Sequence, residues 1–300
     1  MPPSTRASDF AELAAATESG PPSGWRRPQR GVVLRRASGR IGFGLVVLVV
    51  AMAIVGPVIA PHDPFAISGG SLTPPSAAFP MGTDALGRDV LSGVLYGART
   101  SLSVASAVAL IALACGVTIG VLSGYRGGWT DNLLMRATEL FQVIPRFFFV
   151  VIAIALFGPG LGRMVLALGL TSWPTLARVV RGEVIAMRDL DFVRAAEAAG
   201  ATARRIAWRQ LLPNVTPSIV VVLGLLVGQV LLLEATLGFL GLGDPGAISW
   251  GTMAAQAQGF LRVAWWLALF PGLAITLTVL GVNLLADAFS SARAAERSAS

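Results

Sequence analysis

Polar residues with room for chemistry fall in two places in an otherwise apolar chain. The first is the stretch 191–213, DFVRAAEAAGATARRIAWRQLLP, rich in Arg and Ala and closed by a Pro. The second is Glu234, which shares an apolar run with Gln229. A carboxylate in such a run is costly and is usually functional or paired. Two readings therefore stand for Glu234, with Gln229 beside it: lining of a path through the molecule, or a helix-end pair or hydrogen bond inside a bundle.

Other chemistry is excluded by what the chain lacks. All 23 basic residues are Arg. Without Lys there is no Walker A loop, whose Lys contacts the β/γ-phosphates, and no Schiff base. A single Cys, Cys115, cannot form an intrachain disulfide. The single His, His62, has no Cys or second His near it, whereas a metal site needs several convergent ligands, so His62 reads as structural. No catalytic residue, metal ligand or cofactor of its own is assigned to the chain.

The elements that must position these residues follow from composition. Of 300 residues, 54% are hydrophobic and 13% charged, and the mean hydropathy is +0.71. Soluble domains carry about 25% charged residues, so the expected class is an all-α polytopic membrane protein. A β-barrel would show short alternating segments instead. The net charge of +7 does not signal nucleic acid, because the Arg residues lie mostly beyond the ends of apolar runs.

Six transmembrane helices are expected, at 41–60, 102–123, 133–157, 163–180, 217–240 and 264–289. Residues 1–40 read as a disordered cytoplasmic tail. Residues 41–60 read as the first transmembrane helix, a retained anchor, since the leader and the apolar stretch are too long for a cleaved signal peptide. Residues 61–97 form a Pro/Gly-rich external loop. Residues 98–289 hold a five-helix core that includes the polar stretch 191–213, and 290–300 form a second cytoplasmic tail. Eighteen Arg fall on the side of the termini and of 191–213, and four on the other. The positive-inside rule then makes the first side cytoplasmic.

Within the polar stretch, Ala195, Ala196, Ala198 and Ala199 favour a helix, and Gly200 can end it in a left-handed conformation. Thr202 can cap a second helix, Pro213 should stop it, and Thr216 with Pro217 should start the fifth span. A small-residue face suits close docking to a partner, while an amphipathic helix lying on the membrane surface remains the alternative. Gly116, Gly120 and Gly124, and further on Gly224 and Gly228, suit close helix packing within the bundle or against a second subunit. Trp250, Trp265 and Trp266 read as interface anchors. Glu139 and Arg146 are seven apart with Pro145 between them, and no role is assigned to either.

The spacing Arg194-Ala195-Ala196, Gly200, Gln210, Leu212-Pro213 resembles the EAA loop of ABC importer permeases, with Arg194 in place of the usual Glu and Gln210 in place of Ile. Glu197-Ala198-Ala199 restores the letters but loses the spacing to Gly200. Residues 82–89 (GTDALGRD), 96–102 (YGARTSL), 124–129 (GYRGGW), 233–243 with 249–251, and 285–287 are similar in order to segments of the dipeptide/oligopeptide permeases of the C-type subunit. Arg146 departs from the small residue usual there.

The resemblance implies a cell-membrane permease subunit that forms half of a translocation pathway. It implies coupling to a separate ATPase through Arg194, Ala195, Ala196, Glu197, Ala198, Ala199, Gly200, Leu212 and Pro213. Expected partners are a second homologous permease, two ATP-binding subunits that hold ATP and Mg, an external substrate-binding protein and the lipid bilayer. Expected cargo is di- or oligopeptides; nickel chelates, haem, glutathione and antimicrobial peptides are carried by related permeases. A secondary transporter or channel would instead show mid-bilayer ionisable residues and inverted repeats; the chain has few of the former and no clear repeat.

Overall fold

Backbone groups inside an apolar run find no water in a bilayer and satisfy one another by coiling into helices. The computed structural model describes residues 37–297, and the only β pairing among them is an isolated bridge between Thr83 and Asp89. The helices are α1 (Ala37–Ile59), α2 (Val90–Arg126), α3 (Gly128–Val143), α4 (Arg146–Phe157), α5 (Leu161–Arg188), α6 (Asp191–Ala198), α7 (Ala203–Phe239), α8 (Trp250–Ala257) and α9 (Trp266–Arg297). The tail expected at 1–40 lies, up to residue 36, outside the described residues. From 290 to 297, where a tail is expected, α9 continues as helix.

Among the described residues, four helices are long and apolar enough to cross a membrane: α1, α2, α7 and the part of α9 up to Ser291. The span expected at 133–157 is two helices, α3 and α4, meeting at 74°. Pro145 causes the break: its ring cannot continue α3, and it holds Ile144 in extended backbone at φ −89°, ψ 121°. Counting that bent pair as one span brings the total to five. The span expected at 163–180 falls in α5, which does not meet the same test, because Arg163 and Arg178 lie within it and Arg181, Glu183 and Arg188 follow.

α5 is covered by protein instead. It runs along α2, and Leu176, Ala177, Val180 and Val184 are fully buried between them. The contact depends on the α2 glycines. A Cβ at Gly116 would lie 2.9 Å from the Leu176 Cβ, one at Gly120 2.6 Å from the Ala177 carbonyl oxygen, and one at Gly124 2.9 Å from the Arg181 carbonyl oxygen. The glycine steps of α2 thus pack inside this chain. Gly224 and Gly228 do the same against Ala286 and Asn283 of α9.

α2 begins at Val90, inside the segment expected to be loop to residue 97, because Asp89 caps it. Its carboxylate accepts from Leu91 N (3.3 Å), Ser92 N (3.1 Å) and Ser92 Oγ (2.6 Å). The loop before it closes on itself: Asp84 accepts from Leu86 N and Arg88 N at 2.8 Å each, and the Thr83 hydroxyl donates to Gly70 O at 2.6 Å. His62 sits beside this cap, its Nδ1 3.5 Å from Asp89 Oδ2, in keeping with a structural role. Two expected interface anchors are core residues instead. Trp250 is fully buried with Nε1 donating to Val94 O (2.9 Å), Trp266 is buried with Nε1 donating to Thr83 O (3.1 Å), and Trp265 is exposed.

Pro213 does not stop a helix, and Thr216 does not cap one. α7 runs unbroken from Ala203 to Phe239, through one π-helical turn at Ala207–Leu211. In that turn Leu212 N donates to Ala207 O, one residue further back than in an α-helix, which widens the coil just before the Pro213 ring. Side chains take up carbonyls around it: Asn214 Nδ2 donates to Gln210 O and Thr216 Oγ1 to Leu212 O, both at 2.7 Å.

The seam yields a test. Gly120→Val should destabilise the purified chain by about 2 kcal/mol or more through overpacking. Gly44→Ala, at an exposed α1 position with nothing within 4 Å of the new Cβ, should be neutral or slightly stabilising. Denaturant titration in mixed micelles reads both; equal stability of the two variants would show that the close α2–α5 approach does not hold the bundle together.

Candidate functional site

The polar stretch folds by its local chemistry. Asp191 opens α6, where a carboxylate suits the positive end of the helix dipole. Gly200 ends it at φ +79°. Ala201 N donates to Ala196 O (3.0 Å) and Gly200 N to Glu197 O (2.9 Å), the paired bonds of a Schellman turn. The Thr202 hydroxyl then accepts from Arg205 N (3.4 Å) and starts α7.

One side of this helix–turn–helix is core. Val193, Ile206, Leu211 and Val215 are fully buried against Val184 and Met187 of α5, with Leu190, Ala196, Ala201 and Leu212 packed at the margin. The other side is open. Arg194, Ala195, Glu197, Ala198, Ala199, Gly200 and Pro213 are exposed. The structure therefore leaves most of the expected docking residues exposed and packs Ala196 and Leu212 at the margin of the core. Gln210 is half-buried, and its Oε1 is enclosed with no hydrogen-bond partner among the described residues, a cost that an apolar residue there would avoid.

Between α6 and the end of α2 lies a cleft of about 350 Å³ lined by Tyr125, Arg188, Asp189, Arg194 and Glu197. The Tyr125 hydroxyl donates to Glu197 Oε1 at 2.8 Å and ties α6 to the end of α2. Arg188 donates to Gly124 O at 3.1 Å and lies 3.5 Å from the Asp189 carboxylate. Arg194 forms no ion pair among the described residues.

A second bracket lies behind the cleft. Arg181 holds Asp131 with two bonds of 2.6 Å, and the Ser123 hydroxyl donates to the same carboxylate. Ser218 donates to Glu183 at 2.8 Å and joins α7 to α5. Sequence reasoning misses both contacts. Asp131 and Arg181 are 50 residues apart, and no local spacing announces them.

Glu234 lies at the other end of α7. It is buried and accepts from Ser101 Oγ at 3.1 Å, and that hydroxyl also receives Trp250 N at 3.4 Å. Glu234 thus knots α7 to α2 and α8. Gln229 is exposed on a different face, so the two are not brought together. On the same end, Asp244 accepts from Leu161 N at 3.0 Å and caps α5, whose N-cap Gly160 has no side chain to do so.

Comparison with known proteins places this architecture. Residues 116–293 match the family described as binding-protein-dependent transport system inner membrane component. Residues 34–75 match the N-terminal TM domain of oligopeptide transport permease C. The chain is 37% identical over 274 residues to the dipeptide transport system permease protein DppC of Bacillus subtilis, covering 89% of this chain and 83% of that one. It is 37% identical to the di/tripeptide transport system permease protein DppC of Pseudomonas aeruginosa over 84% of this chain and 86% of that one. To the oligopeptide transport system permease protein OppC of Bacillus subtilis it is 34% identical, over 84% and 83%. A chain of the inward-facing MetNI methionine ABC transporter superposes with a TM-score of 0.55 at 19% identity, covering 67% of this chain and 95% of that one, and so shares its fold.

The bracket behind the cleft makes a prediction of its own. A double-mutant cycle of Asp131→Asn and Arg181→Ala should show coupling of about 1–2 kcal/mol, a value held down by the part-exposed guanidinium. Arg181→Lys should recover only part of it, since a single ammonium cannot reproduce the two parallel bonds. Additive losses would show that the two side chains stabilise the bundle independently.

Proposed function

From the premise that the chain belongs to the family of binding-protein-dependent transport inner membrane components, we propose that it is the membrane permease of an ATP-driven importer of di- and oligopeptides. It forms half of the translocation pathway beside a second, homologous permease. Two ATP-binding subunits hold the nucleotide and its Mg, and an external binding protein delivers cargo. The relatives named for dipeptide, di/tripeptide and oligopeptide transport support that cargo class. In this reading the chain crosses the membrane six times, with α5 as a pass shielded by α2 and the α3–α4 pair as another. Both termini and α6 then face the cytoplasm, in keeping with the Arg distribution.

The observation that carries the reading is the exposed small-residue face of α6 between two rigid supports. On one side Tyr125–Glu197 ties α6 to the end of α2, beside the contacts of Arg188 with Gly124 and of Arg181 with Asp131 that hold α2, α3 and α5 together. On the other it feeds α7 across one Schellman turn, and α7 runs on to Glu234 and the loops beyond. A displacement imposed on α6 by a closing ATPase pair would travel along α7 as along a rod. Coupling of this kind requires the ATPase to meet α6 differently in its two states.

Gly200 supplies the test. No atom lies within 4 Å of a Cβ built there, so a substitution strains the backbone without a clash. Gly200→Asn, tolerant of the left-handed region, should keep most uptake; Gly200→Ala should lose part of it; Gly200→Val should abolish it while membrane insertion stays normal. Uptake of labelled di- and tripeptides by the assembled transporter reads the series. Full uptake with Gly200→Val would remove this turn from the mechanism. ATP hydrolysis by the purified chain alone, or uptake that persists without its ATP-binding partners, would overturn the importer reading.

A further inference from the structure

α3 and α4 break apart within the apolar part of the chain, and an Arg stands at the break. α3 runs 16 residues from the turn at Gly127, about 24 Å at the helical rise, so Arg146 lies far from that end of the bundle. The rest of α4, FFFVVIAIALF, is apolar to its end. Arg146 is half-buried and makes no ion pair among the described residues. Glu139, the nearest acid along the chain, is exposed on α3 and does not reach it. The neighbours Leu140, Val143, Ile144 and Phe148 are exposed, so the break faces away from this chain's own core.

Lipid, a partner protein or water could receive that face. An interrupted helix leaves carbonyls without their helical donors, and neither these nor a guanidinium can stand in hydrocarbon. Non-helical backbone at membrane depth is tolerated where it is buried in protein or borders a water-filled cavity, and in transporters such breaks border the substrate. We propose that Arg146 lines the path between this chain and its partner permease and holds a carboxylate of the passing peptide. The proposal rests on the peptide-permease reading above.

The chemistry suits the task. A guanidinium stays charged at every physiological pH and offers a planar fork that matches a carboxylate. Phe147 and Phe148 follow it directly on α4, and such apolar surroundings lower the local dielectric, which strengthens the attraction. Any peptide with a free C-terminus carries one carboxylate. An acidic side chain adds a second, and a Lys side chain adds a repelled cation. The path should therefore favour anionic over cationic cargo.

Two measurements on the assembled transporter test this. In a Cys115→Ser background, Arg146→Cys is treated with a charged, membrane-impermeant thiosulfonate, with Ile54→Cys on the exposed face of α1 as the comparison. Arg146→Cys should be modified on the order of 10-fold faster and be protected by peptide, since charged reagents do not enter hydrocarbon. Modification no faster than at Ile54→Cys would place Arg146 against lipid or a partner's acid and overturn the proposal. Uptake of Ala-Asp is then compared with Ala-Lys. Arg146→Glu should lower the Ala-Asp to Ala-Lys ratio by about 10-fold, with Arg146→Gln between it and the parent, as charge complementarity requires. An equal loss for both peptides, or none, would sink the carboxylate contact. If the unmodified assembly carries no peptide at all, the carboxylate contact falls with the peptide reading, and the labelling alone decides whether Arg146 borders water.

Discussion

The contact between α2 and α5 is the constraint on which the rest of the molecule depends. Helices in lipid gain nothing from hiding apolar side chains from one another, so they associate through van der Waals packing and hydrogen bonds. α2 meets that requirement with three glycines four residues apart, which bring the α5 backbone against its own. α5 in turn needs this cover more than its neighbours do, because it carries Arg178, Arg181, Glu183 and Arg188 on one continuous helix. The polar end of the seam is closed by Asp131–Arg181 and by Arg188 on the Gly124 carbonyl. α6 begins three residues after α5 ends, so its position is inherited from this seam.

α7 carries that position to the opposite end of the bundle. Its buried lower part packs with α5 and α6, and its upper part lies along α9 and meets α8 backbone to backbone, where Gly251 faces Ala235 and Gly238 faces Gly251. Glu234 fixes the upper end through Ser101. The two regions that read as most polar in the sequence are thus the two anchored ends of a single helix. Neither is an isolated site; each is where α7 is fastened to its neighbours.

What the sequence disclosed follows the range of the interactions involved. The turn at Gly200 and the cap at Thr202 were legible because each is made within six residues by groups of known preference. The apolar runs of α1, α2, α7 and α9 were legible by length. Pro145 is a break by residue type, yet it sits in a continuous apolar run that reads as one span. Pro213 reads as a stop, since nothing local shows that a widened turn will accommodate its ring. Trp250 and Trp266 looked like interface residues because their indoles find their acceptors, Val94 and Thr83, more than 150 residues away. The partners of Asp131 and Glu234 were hidden for the same reason. Arg194 lies one turn before Glu197 on α6, whose carboxylate is spent on Tyr125 within the chain.

The π turn at Ala207–Leu211 has a consequence for how α6 is aimed. Five residues in a widened turn hold one more than an α-helical turn would place there, and one residue corresponds to about 100° of rotation. The compass bearing of the Arg194–Gly200 surface about the axis of α7 is therefore set by a residue count. A deletion of one residue in this turn would leave the remaining side chains of α7 chemically intact and swing that surface a quarter-circle or more out of phase. Phase, as much as contact, is what this segment of the chain preserves.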